Sequence, residues 1–473
     1  MHRRSAAVLC CIAALLVLSA GCREHIKEPA VAGTFYPAGQ QELQQMVDGL
    51  LERAEVRPHS GRLIALIAPH AGYVYSGQVA AASYRYLKER GASTVILIGA
   101  SHTVPFQGAS VYYRGAMKTP LGNVQINEKI ARSLLNEQTG VVFFPEAFAK
   151  EHSLEVQLPF LQRTLKDFTI VPILIGSPGN ETIGHLRNAI TGILKADPAA
   201  IVIASTDLSH YHDYDTASFK DRKMVDAIER MSIEDAGRCV FRGEAEMCGA
   251  YPVLVTMGVA RDLGATNGIV YKYANSGDVT QDRSRVVGYA AIGLYRTPLN
   301  DAERSELLKL ARETVAAYVK NRTVPEFKAS TPRLNANGAT FVTINRHGGL
   351  RGCIGNIQPV LPLFQSVIEN AVSASSRDPR FPPMTEAELR DIEVEVTVLS
   401  PLEPLRDVSG IRIGTHGLYL VSGRNAGLLL PQVPGQFNWD VQTFLEQVSI
   451  KAGLPKDAWK TSQLYTFTAD IIR

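Results

Sequence analysis

Apolar positions along this chain follow two different patterns. Between residues 63 and 294, short unbroken apolar runs alternate with stretches of helical period. The runs at 63–68 (LIALIA), 94–99 (TVILIG), 169–176 (TIVPILIG) and 201–205 (IVIAS) are rich in β-branched residues. Such runs predict strands buried on both faces. Helical periodicity occupies 78–88, 128–135, 181–194 and 218–231. Strand–helix alternation predicts an α/β unit on a largely parallel sheet, with 286–294 (VVGYAAIGL) as its last strand. A short polar joint, 296–300 (RTPLN), follows, and an amphipathic helix begins at Asp301 with Leu307, Leu308, Ala311 and Val315 on one stripe. Beyond it the pattern changes. Residues 339–345 (ATFVTIN) and 392–399 (IEVEVTVL) alternate with period two, as half-exposed antiparallel strands do, while 362–376 and 440–452 read as helices. A domain boundary near residue 299 therefore separates the α/β unit from a smaller α+β unit.

The N-terminus carries a different signal. Arg3 and Arg4 precede an apolar run, 6–20, that ends in small residues before Cys22. A positive start, a short apolar centre and small residues at its end describe a secretory signal. The run is short for a membrane span, which needs about 18–20 apolar residues, although an uncleaved anchor helix is the alternative on length alone. Leu18-Ser19-Ala20-Gly21-Cys22 resembles the lipobox of bacterial lipoproteins. The resemblance implies removal of 1–21, lipidation of Cys22, and an exported protein held to a membrane by its acyl chains.

Composition narrows the function classes. The chain has 49 basic and 46 acidic residues, so it offers no electrostatic reason to bind nucleic acid. With Cys10 and Cys11 in the signal and Cys22 lipidated, Cys239, Cys248 and Cys353 remain. An odd number excludes a full disulfide framework.

Ligands of open α/β sheets bind at the carboxyl ends of the strands. Just past three predicted strands lie Pro69-His70-Ala71-Gly72, Ser101-His102 and Thr206-Asp207-Leu208-Ser209-His210. His70, His102 and His210 on one rim predict a shared polar site suited to metal binding or proton transfer. Glu151-His152 opens a helical stretch, which from spacing alone reads as a cap with solvated charges. Cys248 precedes an apolar helical segment, where a helix start lowers a thiol's pKa and frees the thiolate for metal or nucleophilic attack. Cys239 reads as an inert buried cysteine.

These residues carry a family resemblance. Ala68–Tyr73 (APHAGY), Ser101-His102, 151–155 (EHSLE), 205–210 (STDLSH) and Cys248-Gly249 occur in this order in the Memo family, and 29–37 (PAVAGTFYP) resembles that family's opening. The likeness spans residues 28–296. It implies a three-layer, mostly parallel fold similar to extradiol dioxygenases, with His70, His102 and Cys248 as ligands of iron or copper. It further implies acid/base or supporting roles for Asp207 and His210, with His152 lining the pocket. Extradiol enzymes hold Fe(II) with two histidines and a carboxylate, whereas a thiolate shifts preference towards copper or zinc. Should only the histidines converge, Asp207 or Glu151 becomes the candidate third ligand.

In the second domain, 347–355 (HGGLRGCIG), 377–383 (RDPRFPP) and 427–433 (GLLLPQV) resemble the AMMECR domain, over residues 302–473. Chemically, Cys353 beside Arg351 reads either as an activated thiol or as a packing residue in a turn whose glycines supply positive φ. The pair of domains resembles two parts of the bacterial AmmeMemoRadiSam system, which implies a radical-SAM protein as partner. Three functions remain open at this stage. The first is a metal-dependent redox enzyme, oxygenase-like, acting on a small molecule or a modified protein side chain. The second is a non-catalytic metal-binding protein with an AMMECR interaction module. The third is a hydrolase using Cys248 with His210 or His152 as base.

Overall fold

A computed structural model describes residues 25–473 apart from positions 58, 60 and 406. Cys22 and the signal expected at 1–21 lie outside the described residues. The first unit begins with α1 (Gln40–Glu52), β1 (Arg62–Ala68), α2 (Tyr73–Arg90) and β2 (Thr94–Ala100). It continues through β3 (Thr169–Ile175), α3 (Asn180–Ala196), β4 (Ala200–Ser205), α4 (Tyr214–Glu229) and α5 (Ala250–Asp262). It ends with β5 (Asn267–Asn275) and β6 (Val286–Arg296).

The main sheet runs β6–β1–β4–β2–β3, and its four central strands β1, β4, β2 and β3 are parallel. Leu63 to Ala68 and Ala200 to Ser205 are buried at every position, so both faces of these strands are covered. This is why they read as continuous apolar runs rather than alternating ones. The parallel core has antiparallel flanks. β6 pairs antiparallel with β1 and with β5, and the short strand Ala109–Val111 pairs antiparallel with β3. The short strand His210–His212 also pairs with the start of β6, His210 opposite Val287.

The second unit opens with α6 (Asp301–Asn321), started by a capping box between Asn300 and Glu303. β7 (Asn337–Arg346) pairs antiparallel with β8 (Gly349–Gly355), and α7 (Leu363–Ser376) leads to β9 (Ile392–Leu399), which pairs with β7. A second small antiparallel sheet holds β10 (Gly417–Ser422) between β11 (Asn425–Leu429) and the strand Gln463–Phe467, with the helix Val441–Lys451 packed on it. Each unit has its own apolar core, and Leu299 belongs to the second.

Candidate metal centre

Three of the four central strands of the sheet each hand one chemical group to the same rim. His70 follows β1 by two residues, His102 follows β2 by two, and Asp207 follows β4 by two. The loop 151–154 crosses this rim and brings His152. One ring nitrogen from each of His70, His102 and His152 lies within 4.8 Å of the others. The ring centroids are 5.0 Å apart for His70–His102, 5.4 Å for His70–His152 and 4.8 Å for His102–His152.

Hydrogen bonding decides which nitrogens face the cluster. Ser205 Oγ donates to the carbonyl of Ser153 at 2.6 Å and accepts from Gln157 Nε2 at 2.8 Å. Its only hydrogen is thus committed, so its 2.9 Å contact with His70 Nδ1 makes that nitrogen the donor. His70 is left with a lone pair on Nε2. His102 is fixed in the same way, because its Nδ1 lies 2.9 Å from Glu151 Oε1, which only accepts. The carboxylate of Glu151 also accepts from the backbone N–H of His102 (2.6 Å), His152 (3.0 Å) and Ser153 (2.9 Å). Burial raises its pKa, but the hydrogen bonds and charge of His102 and the backbone donors outweigh this and hold it at about 2. A carboxylate or hydroxyl behind each ring, setting tautomer and orientation, is how metal-binding histidines are held.

Burial keeps His70 neutral, its pKa well below the ordinary value, and lowers those of His152 and His210 as well. Neutral imidazoles are the metal-binding form. The residues present therefore fit a metal ion, and the three histidines could hold one.

Asp207 stands beside His70, its Oδ1 accepting the His70 backbone N–H at 2.8 Å. Burial pushes its carboxyl up to about 7. His210 sits on the strand beside β6, near enough for its charge to bear on His70.

Cys248 departs from expectation in one respect. Its Sγ does reach the site, 3.1 Å from His70 Nε2 and 3.2 Å from the N–H of Asp207. It does not, however, carry the lowered pKa expected of a helix start. Burial first, then the charge of Asp207, push the thiol up to about 12. The helix α5 begins two residues later at Ala250, and burial dominates over the helix end. Close packing here depends on Gly249, whose added Cβ would fall 2.6 Å from the carbonyl oxygen of Ser205.

The motif 29–37 builds one wall. Buried Glu155 accepts from Lys27 Nζ (2.8 Å), the N–H of Ala30 (2.6 Å) and Val31 (2.9 Å), and Tyr36 Oη (2.6 Å). This knot presses the ring of Phe35 against His152, centroids 4.9 Å apart. Phe35 and Ser205 enter the reading of the sequence only as members of family motifs and Gln157 not at all, while Glu151 enters as a solvated cap, a motif residue and a fallback ligand. The adjacency of Glu151 to His152 is the one signal that points to a joint role.

In the second domain the side chain of Arg351 is engaged by a carboxylate. Its guanidinium forks onto Glu388, Nε 2.7 Å and Nη2 3.2 Å away. Cys353 is half-buried in β8, accepting from Thr343 Oγ1 at 3.3 Å. Positive φ falls on His347 and Gly348, at the turn between β7 and β8. Gly352 is needed for a different reason: a Cβ there would lie 2.1 Å from the carbonyl oxygen of Ala374. All three described cysteines are free.

Comparison with known proteins gives matches to two segments of the chain. A family profile described as "Memo-like protein" matches residues 27–293, and one described as "AMMECR1" matches 308–472. "MEMO1 family protein MK0963" of Methanopyrus kandleri is 39% identical over 278 residues, 56% of this chain and 98% of the relative. A "MEMO1 family protein" of Aquifex aeolicus is 38% identical over 270 residues, 56% of this chain and 97% of the relative. A crystal structure of the uncharacterized protein PH0010 from Pyrococcus horikoshii is 38% identical, covering 37% of this chain and 92% of its own, with a TM-score of 0.35.

Proposed function

The chain belongs to the Memo-like family, with an AMMECR1 domain behind its Memo-like part, and on that premise we propose that the first domain is a metal-dependent redox enzyme. In this reading it is oxygenase-like, takes iron or copper, and acts on a small molecule or a modified protein side chain. The observation that supports it is the cluster of three histidines, two of them with tautomers fixed by Ser205 and Glu151. A bound iron or copper ion would supply Lewis-acid and one-electron chemistry at the strand ends. The surrounding residues supply the proton handling. Asp207, with its carboxyl near neutrality at about 7, holds or releases a proton at working pH. His210, neutral and on the same rim, accepts one. Phe35 shields His152 from water. The union of both domains in one chain supports a place in an AmmeMemoRadiSam-type system with a radical-SAM partner.

The contact of Cys248 Sγ with His70 Nε2 favours a second reading, a cysteine-dependent hydrolase with His70 as base. Burial weighs against it, because it raises the thiol and lowers the imidazole, so that both stay neutral. One experiment separates the two. Protein purified without oxygen should carry close to one equivalent of iron or copper, lost in His70→Ala and His102→Ala, and the iron-loaded form should consume oxygen. Absence of bound metal after reconstitution, with rapid alkylation of Cys248 at neutral pH, would overturn the redox reading in favour of the hydrolase.

A further inference from the structure

A second polar cleft lies at the opposite end of the same strands, between the two domains. Arg62 starts β1, Ala200 starts β4, and Arg296 ends the antiparallel β6, so all three lie at the edge away from the histidines. Together with Arg90, Lys195 and Glu403 these residues line a half-open cleft of about 50 Å³. Its remaining walls are apolar and come from both domains, with Ile64 and Leu263 on one side and Pro401 and Leu402 on the other.

Charge in the cleft is unbalanced. Four cations, Arg62, Arg90, Lys195 and Arg296, face Glu403 from the second domain. Arg62 Nη1 and Arg296 Nη2 both converge on the single oxygen Oε1 of Glu403, at 2.5 and 3.1 Å. The guanidinium of Arg90 spends its donors on the carbonyls of Leu63, Gly91, Pro198 and Ala200, at 2.8–3.3 Å. Asp197 acts on Arg90 only at range, and burial together with the charge of Arg62 lowers the pKa of Arg90 to about 10. Several cations gathered around one carboxylate, with an apolar wall alongside, form a receptor that is underfilled by its own chain. Guanidinium forks match phosphate oxygens in pairs, which a single shared carboxylate oxygen does not use.

We propose that this interdomain cleft is a binding site for a doubly charged phosphate group, free or on a small ester, and that Glu403 occupies part of it as an internal stand-in. The phosphate would take Arg62 and Arg296 from Glu403, with Lys195 at the open side. The apolar wall gives an organic substituent a place to lie. Ligand binding then couples the two domains through residues that both contribute.

The test uses the full chain, with thermal unfolding and calorimetric titration against inorganic phosphate and phenyl phosphate, each compared with chloride at equal ionic strength. Phosphate should raise the melting temperature where chloride does not. Glu403→Gln removes the competing carboxylate and should tighten phosphate binding at least fivefold. Arg296→Gln and the exposed Lys195→Gln should each weaken it by a similar factor, and Lys195→Gln leaves the packed interface untouched. Tighter binding of phenyl phosphate than of inorganic phosphate assigns the ligand as an ester, and the reverse assigns free phosphate. A phosphate response no larger than that of chloride in both wild type and Glu403→Gln overturns the proposal. So does a response that survives Arg296→Gln and Lys195→Gln unchanged.

Discussion

Replacing Glu151 by glutamine keeps the shape of the side chain and removes the charge that holds two histidines in place. Its Oε1 accepts three hydrogen bonds, from His102 Nδ1 and from the N–H of His152 and Ser153, while Oε2 accepts one at 2.6 Å from the N–H of His102. Glutamine can keep the first set on its carbonyl oxygen. Its amide NH₂ then faces the His102 N–H, donor against donor. Loss of one buried hydrogen bond to a charged acceptor costs about 1.5–3 kcal/mol of stability. At about 2–4 °C per kcal/mol for a domain of this size, the melting temperature should fall by about 3–12 °C. Metal affinity should fall about 10–100-fold, the usual effect of losing the partner behind a ligating histidine. Titration against a competing chelator reads the affinity, and calorimetry of the metal-free protein reads the stability. Since the carboxyl of Glu151 is held at about 2, its contribution is complete above about pH 4.5 and fades only as pH falls towards 2. Both measurements at pH 7.5 therefore see the full effect. Metal affinity within threefold of wild type in Glu151→Gln and Glu151→Ala would refute the orienting role.

Further outcomes follow from the same geometry. Cys248→Ser should lower metal content sharply, because Sγ lies 3.1 Å from His70 Nε2, while Cys353→Ser in the other domain should leave metal analysis unchanged. His70, His152 and His210 are kept neutral by burial, so the unfolded chain binds more protons below its histidine pKa of about 6.5. Denaturant melts should accordingly show stability decreasing as pH drops below that value, by up to about 1.4 kcal/mol per pH unit for each histidine, and a rise would contradict the burial argument. Glu155→Ala strands the buried Lys27, whose side chain is 6% exposed, and should destabilise the fold by about 3–5 kcal/mol, with residues 25–37 becoming the first site of proteolysis. Cys22→Ser should leave an unprocessed precursor in membranes, and normal cleavage and release of this variant would show that the lipobox reading is wrong.

The central strands were readable because burial on both faces leaves an unbroken apolar run, and 392–399 because one half-exposed face leaves alternation. β5 escaped the same reasoning. Its sequence NGIVYKYAN mixes aromatic and charged residues at half-buried positions, so neither pattern forms. The glutamine-rich α1 has four buried residues among polar neighbours, too weak a stripe to separate from loop. At the site, His70, His102 and His210 were picked out by the strand-end rule, which depends only on local sequence, whereas Asp207 gained a role only through the family motif. His152 reached the cluster through a loop whose path is set by long-range contacts, chiefly Ser205 to the Ser153 carbonyl. The state of Cys248 was misread for a similar reason. A helix start is visible in sequence, whereas the depth at which that start is buried is a property of the assembled fold.

The knot around Glu155 sets the reach of the chain's leading end. Lys27 is fixed inside the domain, so a chain lipidated at Cys22 would have only four residues between its lipidated cysteine and Lys27, at most about 18 Å when fully drawn out. Such a leash would hold the domain close to the headgroups. The same knot also carries Phe35 and the loop of His152. In a protein anchored this way the mouth of the histidine cluster would stay near the lipid surface. Lengthening the leash by a flexible insert after Cys22 would move that mouth outward without touching any residue of the site.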